Sequence, residues 1–139
     1  MKAIDPELLR ERTRVMETHL GRIKETLPAD ALAFNRGTNA ADVVSLHLLF
    51  SIQIVLDFSV FACIHFGLQA PASYEDAVAR LEYAGRISGP LSDRLEKAAT
   101  LRDAFVHAFV ELDAASIHRA ASVLPADLRT FVSDMARQV

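Results

Sequence analysis

Apolar residues recur every three or four positions along most of the chain, which is the period of an amphipathic α-helix. The first such segment opens at Asp5 and Pro6, which form an N-cap and first-turn pair, and it runs to Leu27. Pro28 then stops it. Its inward stripe consists of Leu9, Met16, Leu20, Ile23 and Leu27.

The second segment is the most apolar. It is predicted to be a helix capped by Asn39, with Asp42 completing the cap, and to end at about Phe66. Residues 43–64 hold one charge, Asp57, and are long enough to cross a bilayer. Polar side chains interrupt the segment, however, and no basic cluster flanks it. We therefore expect the central helix of a bundle, covered outside by a second chain, with membrane insertion as the less favoured alternative.

Turn-forming residues divide the remainder into shorter helices. Ser73 is predicted to open a third helix that ends near Ile87. The turn at residues 88–90 starts a fourth helix. Asp113 is predicted to cap a short fifth helix, and Pro125 to open a sixth.

The composition agrees with a small all-α protein. Of 139 residues 51% are hydrophobic, with no tryptophan and five glycines, and this favours one domain over residues 1–139, a bundle of five to six helices. The net charge of −3 excludes a uniformly basic nucleic-acid binder, so any such site must be a local patch. The single cysteine, Cys63, and the polar start of the chain favour a reduced, cytoplasmic protein without a signal peptide.

One charged residue departs from the pattern of the fourth helix. Arg102 lies on an apolar stripe that also holds Leu91, Leu95, Ala98, Phe105 and Phe109. Because burying an unpaired cation is costly, Arg102 must be paired or must face a cleft or an interface. His107, five residues later, has a side chain that titrates near neutral pH. Together they offer one group to hold a phosphate and one to move a proton.

The spacing of this pair sets a geometric condition. Residues five apart on a regular helix differ by about 140° around its axis, so Arg102 and His107 diverge. They converge if the helix loosens near His107, or if two chains of a symmetric dimer each supply part of the site. Structural alternatives remain open: Arg102 as an ion-pair partner of Asp57, and His107 as a partly buried structural histidine. A second Arg-x4-His pair, Arg14 and His19, lies among surface charges.

The sequence contains no competing motif for other chemistry. Cys63 is isolated, and the chain has no His, Cys and Asp cluster with the spacing of metal ligands. It also has no glycine loop for phosphate and no nucleophile elbow. We therefore expect neither a metal nor a cofactor.

The order and spacing of these features resemble the HepT-like toxins of the HEPN superfamily. The signature of that family is Arg-x4-His-x-Tyr, which Arg102, His107 and Phe109 match with one change. Upstream, residues 54–58 resemble the family's long helix with its acidic residue. Residues 67–74 resemble its Gly-x-x-x-Pro-x-Ser-Tyr turn. The resemblance extends over nearly the whole chain.

The resemblance implies a prokaryotic toxin paired with a minimal nucleotidyltransferase antitoxin. It implies a homodimer that cleaves RNA without a metal, at a composite site in the dimer interface. Arg102 would clamp the phosphate and His107 would act as acid or base when the ribose 2′-hydroxyl attacks. Asp103, Asp57 and Phe109 would support them. The alternative is a catalytically silent module that binds nucleotide or RNA, or that docks the partner.

Two positions depart from the family pattern. Asp103 stands where asparagine is usual, and Phe109 replaces the motif tyrosine. Family members with that tyrosine are silenced when the partner attaches AMP to its hydroxyl, which Phe109 lacks. The two tyrosines of the chain, Tyr74 and Tyr83, lie outside the motif. Inhibition would therefore need another acceptor, direct binding by the partner, or no partner at all.

Overall fold

The computed structural model describes residues 4–139, which fold into five α-helices, with four of them packed around one long helix. The helices are α1 (Pro6–Thr26), α2 (Asn39–His65), α3 (Tyr74–Tyr83), α4 (Gly89–His107) and α5 (Ala114–Gln138). Short 3-10 turns lie before α2, at Ala31–Ala33, and after α4, at Phe109–Glu111. Residues 4–139 contain no strand. The prediction of an all-α bundle with a long central helix is confirmed.

Helix α2 is the centre of the bundle, because it packs against each of the other four α-helices. One side of it is fully buried and supplies much of the core. The residues of that side include Val44, Leu48, Ile52, Val55, Leu56 and Ala62. Helix α2 is also the one helix in the described residues that is long and apolar enough to cross a membrane, and half of its most apolar 18-residue window is buried in the bundle.

Most predicted helix starts are confirmed by their caps. Asp5 Oδ1 accepts a hydrogen bond from the Glu7 amide at 2.9 Å, and the hydroxyls of Ser73 and Ser88 cap α3 and α4 in the same way. The predicted cap of α2 was wrong by one residue. Thr38, not Asn39, is the N-cap, because its extended backbone lets its hydroxyl accept from the Ala41 amide.

The end of α3 also differs from the prediction. The helix stops at Tyr83 rather than near Ile87, because Gly85 adopts a φ of +73° that reverses the chain. The amides of Gly85 and Arg86 donate back to the carbonyls of Glu82 and Leu81. This is a Schellman motif, and it satisfies carbonyls that the helix end leaves free.

The predicted break at Pro125 does not occur, and one helix, α5, replaces the predicted fifth and sixth helices. Asp113 caps it as predicted, and Pro125 lies inside it. A proline there removes one helical hydrogen bond and costs about 3 kcal/mol. The buried stripe continues past it without a change of spacing, because both halves face the same core. That stripe is Ile117, Ala121, Leu124, Leu128, Phe131 and Met135.

Two histidines join α1 to α2. The Nδ1 atoms of His19 and His47 lie 2.8 Å apart, at hydrogen-bonding distance. Burial, and then the neighbouring His47, lower the pKa of His19 from its usual 6.5. The pair therefore favours neutral His19 in the folded state.

We predict that the protein loses stability when the pH falls below about 6.5, the pKa of unfolded His19. Between the lowered folded pKa and the unfolded value, the unfolded chain binds more protons, so acid favours unfolding. The substitution His19→Gln should flatten the dependence of Tm on pH in this window. Thermal unfolding monitored by circular dichroism is the measurement, with His107→Gln on the exposed end of α4 as the control. Equal slopes for the wild type and His19→Gln would contradict the assignment.

Candidate functional site

Arg102 lies on α4 beside α2, and 25% of its side chain is exposed. Its Nε donates to Gln53 Oε1 at 2.9 Å, and its Nη1 lies 3.1 Å from Asp103 Oδ1. The ring of Tyr74 is 5.5 Å from the guanidinium carbon. The cation on the apolar stripe is thus paired and also reaches solvent, which satisfies the condition set by the sequence. We call Arg102, Gln53, Asp57, Tyr74 and Asp103 the Arg102 cluster.

Asp57 joins this cluster through Gln53, an indirect contact in place of the ion pair that was the structural alternative. Gln53 Nε2 donates to Asp57 Oδ1 at 2.9 Å and to the Tyr74 hydroxyl at 2.8 Å. The Tyr74 hydroxyl donates in turn to Asp57 Oδ1 at 2.9 Å. Burial, and then this bond to Asp57, raise the pKa of Tyr74. Its hydroxyl therefore stays protonated at neutral pH and continues to donate.

His107 is the last residue of α4, and it is exposed. Among the described residues, no side-chain hydrogen bond or ion pair involves its imidazole. The helix is unbroken from Arg102 to His107 and departs from helical geometry only at Ala108, with φ −141°. The helix therefore does not loosen between the two residues. Within one chain Arg102 and His107 point in different directions.

The two residues that depart from the family pattern have defined contacts. Asp103 is exposed and gives Arg102 a carboxylate partner one residue away. Phe109 is half-buried in the turn after α4, edge-on to Phe105 with ring centroids 6.1 Å apart. The guanidinium carbon of Arg36 lies 4.4 Å from the centroid of the Phe109 ring. The Phe109 ring therefore has defined contacts although it lacks the tyrosine hydroxyl.

Sequence analysis missed two residues of this region. Gln53 lies four residues before Asp57 on the same side of α2, and its polarity in that apolar helix was a usable signal. Arg36 lies in the loop before α2, where nothing in the local sequence connects it to a residue more than seventy positions later. Only the fold brings Arg36 to Phe109.

The outer side of α2 is an apolar surface with the Arg102 cluster at its centre. Four large side chains on it are 39–53% exposed. The α2 outer face, as we call it, consists of Leu46, Phe50, Gln53, Asp57, Phe61 and Ile64. Val106 on α4, the residue after Phe105, is also 48% exposed. Several exposed apolar side chains on one side of a helix are typical of an interaction site.

Two grooves in the described part of the chain are lined by residues outside the Arg102 cluster. A groove of about 730 Å³ lies between α1 and the end of α5, and none of its lining residues belongs to the Arg102 cluster. A smaller groove of about 410 Å³ lies between α2 and the turn after α4, and Phe105 and Phe109 line it. We place the candidate site at the Arg102 cluster, because a partly exposed cation, a carboxylate and a tyrosine hydroxyl meet there. Among residues 4–139, no three His, Cys, Asp or Glu side chains are grouped to hold a metal ion.

Comparison with known families decides the membership. A family model described as ribonuclease HepT-like matches residues 16–135, a range that contains the whole Arg102 cluster and His107. The chain belongs to the HepT-like ribonuclease family. No curated protein sequence matches the chain significantly.

Solved structures of HEPN toxins share the fold. A tri-AMPylated Shewanella oneidensis HEPN toxin in complex with MNT antitoxin superposes with a TM-score of 0.82 at 23% identity, covering 91% of this chain and 95% of that one. A toxin–antitoxin structure with AMP-PNP gives 0.83 at 22% identity, covering 93% and 97%. YutE of Bacillus subtilis, a cytosolic protein of unknown function, gives 0.82 at 17% identity, covering 99% and 92%. At these identities the likeness shows the fold, and the fold predicted for this HepT-like chain is confirmed.

Proposed function

We propose that this protein is the toxin of a prokaryotic HEPN–nucleotidyltransferase toxin–antitoxin module and acts as a metal-independent endoribonuclease. The observation that carries the proposal is the position of Arg102, a partly exposed cation held at the centre of the α2 outer face. Membership of the HepT-like ribonuclease family supports it. We further propose that residues 1–139 form a single HepT-like domain of a cytoplasmic protein.

The site is proposed to be composite, formed where two copies of the chain meet. Arg102 and His107 diverge on one unbroken helix, so a single chain cannot present both to one phosphate. A second copy packed on the α2 outer face would cover its exposed apolar side chains. A two-fold axis near the Arg102 cluster would then place two arginines and two histidines in one cleft.

The proposed chemistry follows from the groups available. The ribose 2′-hydroxyl attacks the adjacent phosphorus, a new O–P bond forms, and the bond to the 5′-oxygen breaks. His107 accepts the proton of the 2′-hydroxyl and then passes a proton to the leaving 5′-oxygen, so that one arginine–histidine pair is sufficient. Arg102 stabilises the charge that develops on the phosphoryl oxygens. Gln53 and Asp103 hold its guanidinium in place.

Two single variants test the assignment of the site. We predict that Arg102→Ala and His107→Ala each reduce RNA cleavage in the presence of EDTA by at least about 100-fold, because each removes one of the two essential groups. Arg14→Ala is the matched control, since Arg14 lies in the other Arg-x4-His pair and contacts only an exposed glutamate. Full cleavage by both variants would remove the site. RNA binding without any cleavage by the wild type would favour the catalytically silent alternative.

Mixing the two inactive variants tests the composite site. If the arginine and the histidine act across the interface, a mixed dimer of Arg102→Ala and His107→Ala chains retains one intact pair. We predict that co-refolding equal amounts restores roughly a quarter of wild-type cleavage, since half of the dimers are mixed and each has one of two pairs. No recovery, with mixed dimers verified by native mass spectrometry, would show that each site lies within one chain.

The partner is proposed to be a nucleotidyltransferase antitoxin, as in the Shewanella complex. We predict that this partner attaches AMP to residue 109 in Phe109→Tyr but not in the wild type, because the substitution restores a hydroxyl there. Mass spectrometry of peptides after incubation with partner and ATP is the measurement. Wild-type modification at Tyr74 or Tyr83 would identify a different acceptor. Absence of AMP at residue 109 of Phe109→Tyr, with an active partner, would contradict the prediction.

A further inference from the structure

The segment that follows His107 determines where its side chain is held. His107 is exposed, and within the described residues no side chain holds its imidazole by a hydrogen bond. Its position depends on how the chain leaves α4. The Ala108 amide donates to Ala104 O at 2.8 Å, and the 3-10 turn closes with Glu111 N to Ala108 O at 3.0 Å. These bonds shape the turn, but they do not attach it to the rest of the bundle.

Phe109 and Leu112 pack against the core, and Arg36 adds a directional attachment to this apolar contact. Its guanidinium lies over the Phe109 ring, 4.4 Å from the centroid, and its Nη1 donates to the carbonyl of Leu112. The guanidinium thus contacts the turn at its first residue, Phe109, and at Leu112, the residue after its last. A cation over an aromatic face and a charged donor to a carbonyl are both stronger than ordinary surface contacts.

The loop that carries Arg36 is itself anchored on both sides. Phe34 is 2% exposed, and its ring meets that of His118 on α5 edge-on. Thr38 caps α2 two residues after Arg36, and its hydroxyl also donates to Asn35 O at 2.7 Å. Arg36 therefore connects the turn after His107 to a loop that is fixed to α2 and α5.

We propose that Arg36 is a positioning residue for His107, acting through Phe109 and the turn after α4. The inference rests on the proposed ribonuclease function and adds a residue from outside the Arg-x4-His motif. It also gives Phe109 a role of its own: the ring, rather than a hydroxyl, is what Arg36 requires. Removal of an arginine that merely bound RNA would raise KM and weaken the salt dependence of binding, whereas removal of a positioning residue lowers kcat.

The test compares Arg36→Gln with Phe109→Leu, which removes the other half of the same contact. We expect each to lower kcat roughly 10- to 100-fold while KM changes by less than about twofold. Arg36→Lys keeps the charge but not the planar stack and should fall between Arg36→Gln and the wild type. Phe109→Tyr restores the aromatic face and should exceed Phe109→Leu. The double variant should be no worse than the poorer single variant, because both remove one interaction.

Arg22→Gln, which removes an exposed cation from α1, is the control for charge loss and should match the wild type. Amide hydrogen exchange at residues 108–112 supplies a readout independent of activity, and it should accelerate in Arg36→Gln and Phe109→Leu but not in Arg22→Gln. A wild-type kcat in Arg36→Gln, a rise in KM alone, or unchanged exchange would overturn the inference. If instead the wild type cleaves no RNA, the proposed function fails, and the exchange result alone decides whether Arg36 holds the turn.

Discussion

The burial of one side of α2 is the constraint on which the rest of the structure depends. Four helices pack around that side, and its aliphatic residues are fully inaccessible to water. The period of an α-helix, together with a bundle that covers only one side, leaves the opposite residues facing outward whatever their chemistry. In this chain the outward residues are largely apolar, so the helix at the centre of the core also presents an exposed apolar face.

The polar residues at the middle of that outer face show how a cation can lie on an apolar stripe. Gln53 is suited to this position because its amide presents an acceptor to Arg102 and a donor to Asp57. The neutral amide links Arg102 to Asp57 without a direct ion pair between them, so the carboxylate partner of the guanidinium is Asp103. The Tyr74 hydroxyl closes the network, and its raised pKa keeps it a donor. The arginine is therefore oriented before any ligand arrives.

Local patterns in the sequence predicted most of the helices but not all of their boundaries. Periodicity and caps located α1, α2 and α4 well, because these signals involve residues within one helical turn. Pro125 was misinterpreted as a start, since a local rule cannot measure the burial on both sides of it. Helix α3 ended earlier than expected because the positive φ of Gly85 permits a Schellman motif, and the spacing of apolar residues does not reveal such a motif.

The candidate site was predictable to the extent that its members lie within one motif. Arg102 stood out because it interrupts a stripe, and the structure gives it the partners that such a position requires. Its indirect link to Asp57 depends on Gln53. The sequence shows that Gln53 is polar, but it does not show that Gln53 bonds to Arg102. Arg36 depends on a contact between distant segments, and a single sequence contains no local trace of it.

Asp103 has one consequence for any phosphate that reaches Arg102. Its carboxylate already occupies one terminal nitrogen of the guanidinium, so the chain carries its own mimic of the anion it is proposed to bind. An incoming phosphodiester must displace this internal competitor and then remain beside a like charge. The side-chain oxygen of an asparagine at the same position could accept a hydrogen bond from the arginine without repelling the incoming phosphate. If Arg102 binds phosphate as proposed, its ligand affinity is set by an exchange of one anion for another rather than by the filling of an empty site.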